Sequence, residues 1–237
     1  MSLIEDLVCA NRILAEHGVI DGYGHVSVRA DRDPARYLLS RSLAPELVTE
    51  ADIMEYDLDS LPLDQRGRSM YRERFIHGEI YKRRPEVNAV VHSHSPSVIP
   101  FGVTAAPMRP IFHMAAFIGE GVPTFEIRDA QEGTDLLVST PYLGQALART
   151  LAARPAALMR GHGAVVVGEN LPRAVGRSIY LEISAQLQAQ AMAIAGRDGK
   201  ITYLDEREVR ASVPPQNYER AWHLWRSKAL ARIHAER

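Results

Sequence analysis

The chain has a single cysteine, Cys9, so no internal disulfide can form. That excludes the disulfide-stapled secreted scaffolds and fits a reducing compartment. It has no surplus of positive charge: 28 Lys and Arg stand against 29 Asp and Glu, a formal net charge of -1. Nucleic-acid binders and proteins held on anionic membranes need a basic excess, so neither class fits. No apolar run is long enough to span a bilayer. The start, Met1-Ser-Leu-Ile-Glu-Asp-Leu, lacks the basic and apolar stretches of a signal peptide. Solenoid repeats are absent as well. The expectation is a cytoplasmic protein that acts on small molecules, without nucleic acid or membrane. With 46% hydrophobic residues among 237, the chain can fill a substantial core.

Ser2 and Glu5 predict a capping box, and Leu3, Leu7, Ile13 and Leu14 a first helix ending near Gly18, with Cys9 on its apolar face. Val26 and Val28 alternate with Ser27 and Arg29, which predicts a strand. A turn at Asp31–Pro34 and a second strand from Tyr37 complete a hairpin. Ile53–Asp59 alternates again. Tyr71–Arg83 reads as a helix stopped by Pro85, and Val87–Val91 as a strand. A short helix is expected near Ser97, and extended segments at Ile111–Phe117 and from Pro123 to Ile127. Thr134–Ala153 reads as a helix broken by Pro141. Strands at Ala157–Met159 and Ala164–Val167 flank His162. Asn170-Leu-Pro172 opens the longest helix, running to about Ala195. The tail from Asn217 is helical and carries Trp222 and Trp225. The pattern predicts an α/β fold: one domain over residues 1–237 with three α/β/α layers, a mostly antiparallel central sheet and a helical tail from about residue 200.

Chemistry concentrates in a few places. His92 and His94 lie two apart in Asn88-Ala-Val-Val-His92-Ser-His94, so a strand presents both imidazoles on one side. Arg160-Gly-His162-Gly supplies a third histidine, whose flanking glycines let the backbone approach a ligand closely. Three neutral imidazoles hold a divalent metal and leave positions open, and a carboxylate nearby, Glu73, can move protons. Taken singly, each element is ordinary: a polar strand face, a turn histidine, a helix-surface acid. Together they predict a metal-dependent lyase. His77, one turn after Glu73, either supports the ligands or lies on the helix surface.

These residues, with Arg84-Pro-Glu-Val and Gly24-His25-Val-Ser-Val-Arg29, resemble the class II aldolase/adducin family, typified by fuculose-phosphate aldolase, from Asn11 to about Ile194. The resemblance implies the α/β/α fold, a metal on His92, His94 and His162, Glu73 as proton carrier, and a homotetramer with active sites between subunits. The metal on such a set is zinc or manganese, with cobalt and iron also suited. Adducin, a non-catalytic relative, lacks the histidines that are present here.

Departures from the sugar-phosphate members point to the substrate. Those members have asparagine at the position of His25, a glycine pair member at Leu43, and serines at Tyr71 and Arg72. A phosphate cradle needs closely approaching amides, which Leu43 hinders. His25, Arg41 and Arg72 offer positive charge, with Ser42 between, and arginine takes carboxylates bidentately. The alternative for Arg41 and Arg72 is a structural salt bridge. His113 stands where the resemblance implies an acidic tyrosine serving the neighbouring subunit. Tyr218, with Tyr203 and Trp222, lies in the tail that the resemblance brings over a neighbour's site; ordinary packing is the alternative. Family members that decarboxylate hydroxylated pyridine or benzene dicarboxylates resemble this chain in length and in its Ser40-Arg41-Ser42 loop. The expected function is decarboxylation of such a compound. An aldolase or epimerase is the alternative, and an adducin-like module the third. As acid, Glu73 needs a raised pKa, which burial can supply.

Overall fold

Alternate residues along the strands sort two apolar sets onto opposite faces of one sheet. The computed structural model describes residues 2–196, 199–212 and 218–236. Seven strands, β1 (His25–Arg29), β2 (Arg36–Ser40), β3 (Ile53–Asp57), β4 (Ala89–Ser93), β5 (Thr124–Phe125), β6 (Ala156–Met159) and β7 (Gly163–Gly168), lie in the order β3-β2-β1-β4-β7-β6-β5. Only β5 and β6 pair in parallel. One face carries Val26, Val28, Val91 and Val166 against residues such as Leu7, Ile179 and Trp222, from α1 (Leu3–Glu16), α4 (Leu171–Ala195) and α6 (Glu219–Ala235). The other carries Leu39, Val90 and Val165 against α2 (Phe75–Arg83) and α3 (Pro141–Leu151), through Ile76, Ile80 and Leu147. A short helix, α5 (Glu206–Ser212), follows α4. This is the expected three-layer α/β/α arrangement around a mostly antiparallel sheet.

Strand parity places the polar residues of β1. Val26 and Val28 face α1 and α4, so His25, Ser27 and Arg29 lie under α2. All five residues of β1 are buried. Arg29 is satisfied there by carbonyls, with Nε donating to Val87 at 3.1 Å and Nη2 to Tyr81 at 3.0 Å. A pattern that suggests one wet face is thus covered on both sides.

Local details differ from the sequence expectations. Ser2 accepts from the Glu5 amide at 3.0 Å, but the Glu5 carboxylate pairs with Arg226 of α6 instead of closing a capping box. Residues expected to be extended from Ile111 to Phe117 form a 3-10 turn over His113–Ile118, and β5 holds only two residues. Pro141 starts α3 instead of breaking a longer helix: Thr140 caps the Leu143 amide, and proline suits the first turn because its missing N–H has no partner there. The last helix begins at Glu219; Asn217, the expected start, lies outside the described residues. No described helix is long and apolar enough to cross a membrane.

Candidate metal centre and active site

The centre of the sheet ends in histidines. His92 lies one residue before the end of β4, beside β1, where it stands opposite His25. His94 follows just beyond the strand. His162 sits in the tight turn between β6 and β7, where Gly161 takes a φ of 65°. The three rings form a near-equilateral set: centroids lie 5.1 Å apart for His92–His94, and 4.9 Å for both His92–His162 and His94–His162. Glu73 comes from a 3-10 turn over Arg72–Arg74 that leads into α2, with φ -91° and ψ 15°. That bridge conformation, sparsely populated in general, turns its carboxylate inward. One ligand atom from each of Glu73, His92, His94 and His162 lies within 4.8 Å of all the others.

The hydrogen bonds behind these groups fix which atoms face inward. His92 Nδ1 donates to the Ala164 carbonyl at 3.2 Å, and His162 Nδ1 to the Leu136 carbonyl at 2.9 Å. Both Nε2 atoms are left with lone pairs directed into the cluster. His92 Nε2 is buried without a hydrogen-bond partner among the described residues. His94 Nε2 and His162 Nε2 lie 3.0 Å apart. With its Nδ1 proton given to Leu136, His162 accepts at Nε2 from His94 Nε2–H, a proton that a cation in the cluster would displace, and the orphaned buried nitrogen of His92 is costly without such a cation. The donor set therefore fits a divalent metal. Burial is the first cause holding His94 down, to about 4, with His92 and His162 adding to it; burial also lowers His162. Both rings are thus neutral, the form that binds metal.

Glu73 is held at Oε1 by the Val138 amide at 2.9 Å, and its Oε2 lies 3.4 Å from His92 Nε2 and 3.5 Å from His162 Nε2. Burial acts to raise its pKa, as expected from the sequence. Protonated His92 and His162 rings and the Val138 amide would outweigh it and take the group to about 2, the reverse of the expected direction; facing neutral rings, Glu73 keeps only the Val138 amide against burial.

An open cavity of about 410 Å³ leads to the cluster, lined by His25, Ser42, Arg72, Glu73 and His94 among others. Tyr23, Leu43 and Tyr71 complete its walls. The Tyr23 ring lies 6.4 Å from His94, and the Tyr71 ring packs tilted against His25 at 4.5 Å. Arg72 stands at the mouth in an exposed pair with Asp135 at 3.2 Å. The amides of the 42–43 loop are already engaged: Ser42 N–H donates to the Ser69 carbonyl at 2.9 Å and Leu43 N–H to the Tyr71 hydroxyl at 3.4 Å. Tyr71 in turn donates to the Leu43 carbonyl at 2.6 Å.

Residues 5–189 match the family described as Class II Aldolase and Adducin N-terminal domain. The chain belongs to the class II aldolase and adducin family. Decarboxylase tropJ of Talaromyces stipitatus is 35% identical over 94% of this chain and 92% of its own length. The 3,4-dihydroxyphthalate decarboxylase of Arthrobacter keyseri is 30% identical over 98% of this chain and 94% of its own. Among solved structures, the L-fuculose 1-phosphate aldolase from Glaciozyma antarctica PI12 superposes with a TM-score of 0.77 at 26% identity, covering 98% of this chain and 88% of that one. Fold and relatives together make this class II aldolase family member an enzyme, a carboxy-lyase.

Within the family frame, several expected site residues are placed elsewhere. Arg41 does not line the cavity; its Nε donates to Asp52 at 2.5 Å, the salt-bridge alternative. Tyr218 is buried, stacked on Tyr180 at 5.7 Å with its ring over Gly176, and is committed to its own chain. Trp222 belongs to the α1/α4 core, and Tyr203 lies under the Arg109 guanidinium at 4.4 Å. His113 is exposed, edge-on to Phe112 at 6.1 Å, and is not part of this chain's own cavity lining. His25 does line the cavity, but burial, followed by the facing histidines, holds it well below the ordinary imidazole value. It offers a neutral ring, not the positive charge expected. Gly163 serves the strand crossing: its close neighbour is the Ser93 backbone, not a ligand. Tyr23 and Tyr71 line the cavity as aromatic walls that the local pattern does not announce, save for an aromatic between Gly22 and Gly24.

Proposed function

We propose that this chain decarboxylates a hydroxylated aromatic dicarboxylate, built on a benzene or pyridine ring, with a divalent metal on His92, His94 and His162. The observation that carries this reading is the engaged pair of amides at Ser42 and Leu43, beside a cavity that keeps an arginine at its mouth. A phosphate finds no free backbone cradle there, whereas a carboxylate finds Arg72. The name of the 3,4-dihydroxyphthalate decarboxylase relative agrees with this substrate class.

A metal in the histidine cluster, zinc or manganese in preference to cobalt or iron, supplies electrostatic stabilisation of the charge left when a carbon–carbon bond breaks. The chain's own groups do the rest. Arg72 exchanges its exposed Asp135 partner for the carboxylate that stays on the ring. Tyr23 and Tyr71 flank a flat substrate. Glu73, pinned at Oε1 by Val138, takes the proton of the substrate's ring hydroxyl at Oε2 and returns it to the ring carbon as that carbon loses carbon dioxide, leaving a phenolate. His113, exposed on its own chain, serves the site of a neighbour in a homotetramer.

The test is metal-loaded protein, with zinc and manganese supplied separately, mixed with hydroxylated phthalates and pyridine dicarboxylates while carbon dioxide is followed. Release that vanishes in Glu73→Gln and His92→Ala establishes the reaction. No release from any of them, with metal bound, transfers the assignment to aldol cleavage of a carboxylated hydroxyketone.

A further inference from the structure

Beneath the cavity runs a buried chain of four side chains that the proposed reaction does not use. The Tyr81 hydroxyl lies 2.8 Å from Ser27 Oγ, Ser27 Oγ lies 2.6 Å from His77 Nδ1, and His77 Nε2 lies 2.6 Å from His25 Nδ1. Tyr81 is 1% exposed, His25 3%, and Ser27 and His77 are fully buried. We propose that Tyr81, Ser27 and His77 are positioning residues that lock His25 as the Nε2–H tautomer, making it a fixed, neutral hydrogen-bond donor to an anionic oxygen of the substrate.

The direction of the chain follows from its closed end. Were the protons to point away from the cavity, His25 would donate to His77, His77 to Ser27 and Ser27 to Tyr81. The Tyr81 proton would then be stranded, because Ser27 Oγ is the sole hydrogen-bond partner of that hydroxyl among the described residues. A buried donor without an acceptor costs its full desolvation, whereas an oxygen with a spare lone pair costs much less. Protons therefore run from Tyr81 to Ser27, to His77, to His25 Nδ1. The remaining proton of neutral His25 sits on Nε2. His25 is outside the metal cluster, and it lines the cavity. Its ring cannot turn over easily, clamped between Tyr71 at 4.5 Å and His92 at 5.0 Å. The tautomer stands on the hydrogen-bond geometry; the substrate it serves rests on the proposed decarboxylation.

Neutron diffraction from deuterated crystals reads the tautomer directly. Deuterium on Nε2 and none on Nδ1 of His25, with deuterium on Nε2 of His77, is the expected result; deuterium on His25 Nδ1 overturns the proposal. The second arm titrates phthalate, as a dianionic probe, onto zinc-loaded protein. Ser27→Ala should weaken binding about tenfold and Ser27→Thr should restore it, with zinc content unchanged in both. Unaltered affinity in Ser27→Ala overturns the positioning role. If the natural chain turns over none of the aromatic dicarboxylates, the proposed function falls, and the deuterium positions still decide the tautomer.

Discussion

A Cβ on Gly163 would stand 1.9 Å from the carbonyl oxygen of Ser93. The glycine lets β7 meet the end of β4 at the point where His162 and His94 leave the sheet. An alanine there must push the two strands apart, at a cost of about 1–3 kcal/mol or more. Gly163→Ala should lower the melting temperature and weaken zinc binding together, measured by thermal melts and equilibrium dialysis. Lost stability with unchanged zinc affinity would show that the histidines hold their places independently of the crossing.

Glu73→Gln keeps the volume of the side chain and removes its charge and basicity. The Val138 amide can still donate to the amide oxygen. Turnover should fall by about 10²–10⁴-fold, while metal content, by elemental analysis, stays within twofold of the parent. Equal loss of both would assign Glu73 to the ligand set instead of proton transfer.

Metal should stabilise the fold because its ligands converge only in the folded chain. At a free concentration 100 times Kd the gain is about 2.7 kcal/mol. Calorimetry with and without chelator should show this gain, and His92→Ala should abolish it. An identical melting temperature in both conditions for the natural chain would refute the metal centre.

The two arginines separate cleanly. Arg72 faces the cavity mouth and Arg41 is tied to Asp52. Arg72→Ala should raise KM for a dicarboxylate by about 10–100-fold, as expected for a lost charge-assisted pair of about 1.5–3 kcal/mol, and leave the melting temperature nearly unchanged. Arg41→Ala should leave KM within about twofold. A KM effect from Arg41 alone would reverse the assignment.

Metal-stripped protein should lose stability as the pH drops below about 6.5. Burial lowers His77 to about 3, with His92 adding to it against Glu73, and burial lowers His25, His94 and His162 as well. The unfolded chain therefore takes up protons that the folded chain refuses. The stabilisation is complete above the unfolded value and is lost as pH falls toward the folded one, with a slope of about 1.4 kcal/mol per pH unit per histidine. Urea midpoints between pH 7 and 5 measure it; a flat profile would contradict the buried, neutral rings.

The cluster of His92, His94 and His162 with Glu73 was legible because strand and turn spacing suggest its parts, two histidines at period two and one between glycines, and the family resemblance joins them into one site. The support beneath it was not. His77 reads from sequence as helix surface or as backing for the ligands, and only the docking of α2 onto the polar side of β1 settles that it meets His25 and Ser27. Arg41 has the right chemistry for a carboxylate, but Asp52, eleven residues on, takes it through a tertiary contact that local pattern does not reveal. The seven-stranded order was beyond reach for the same reason, since β4 lies between β1 and β7. Pro141 misled because proline breaks a helix interior yet suits a first turn.

The parity of β1 has an evolutionary consequence. His25 aligns with His92 and Val26 with Val91. One residue inserted between Gly24 and His25 would shift that pairing and exchange the two faces of the strand, sending His25, Ser27 and Arg29 into the aliphatic layer under α1 and α4. Insertions at the exposed tip near residues 64–67 would leave both faces of β1 as they are. Lineages of this enzyme can therefore explore new substrates by lengthening loops and by point changes at the mouth, whereas the stretch from residue 24 to 29 is fixed in length, and at Gly24, with φ 88° and no room for a Cβ, in letter as well.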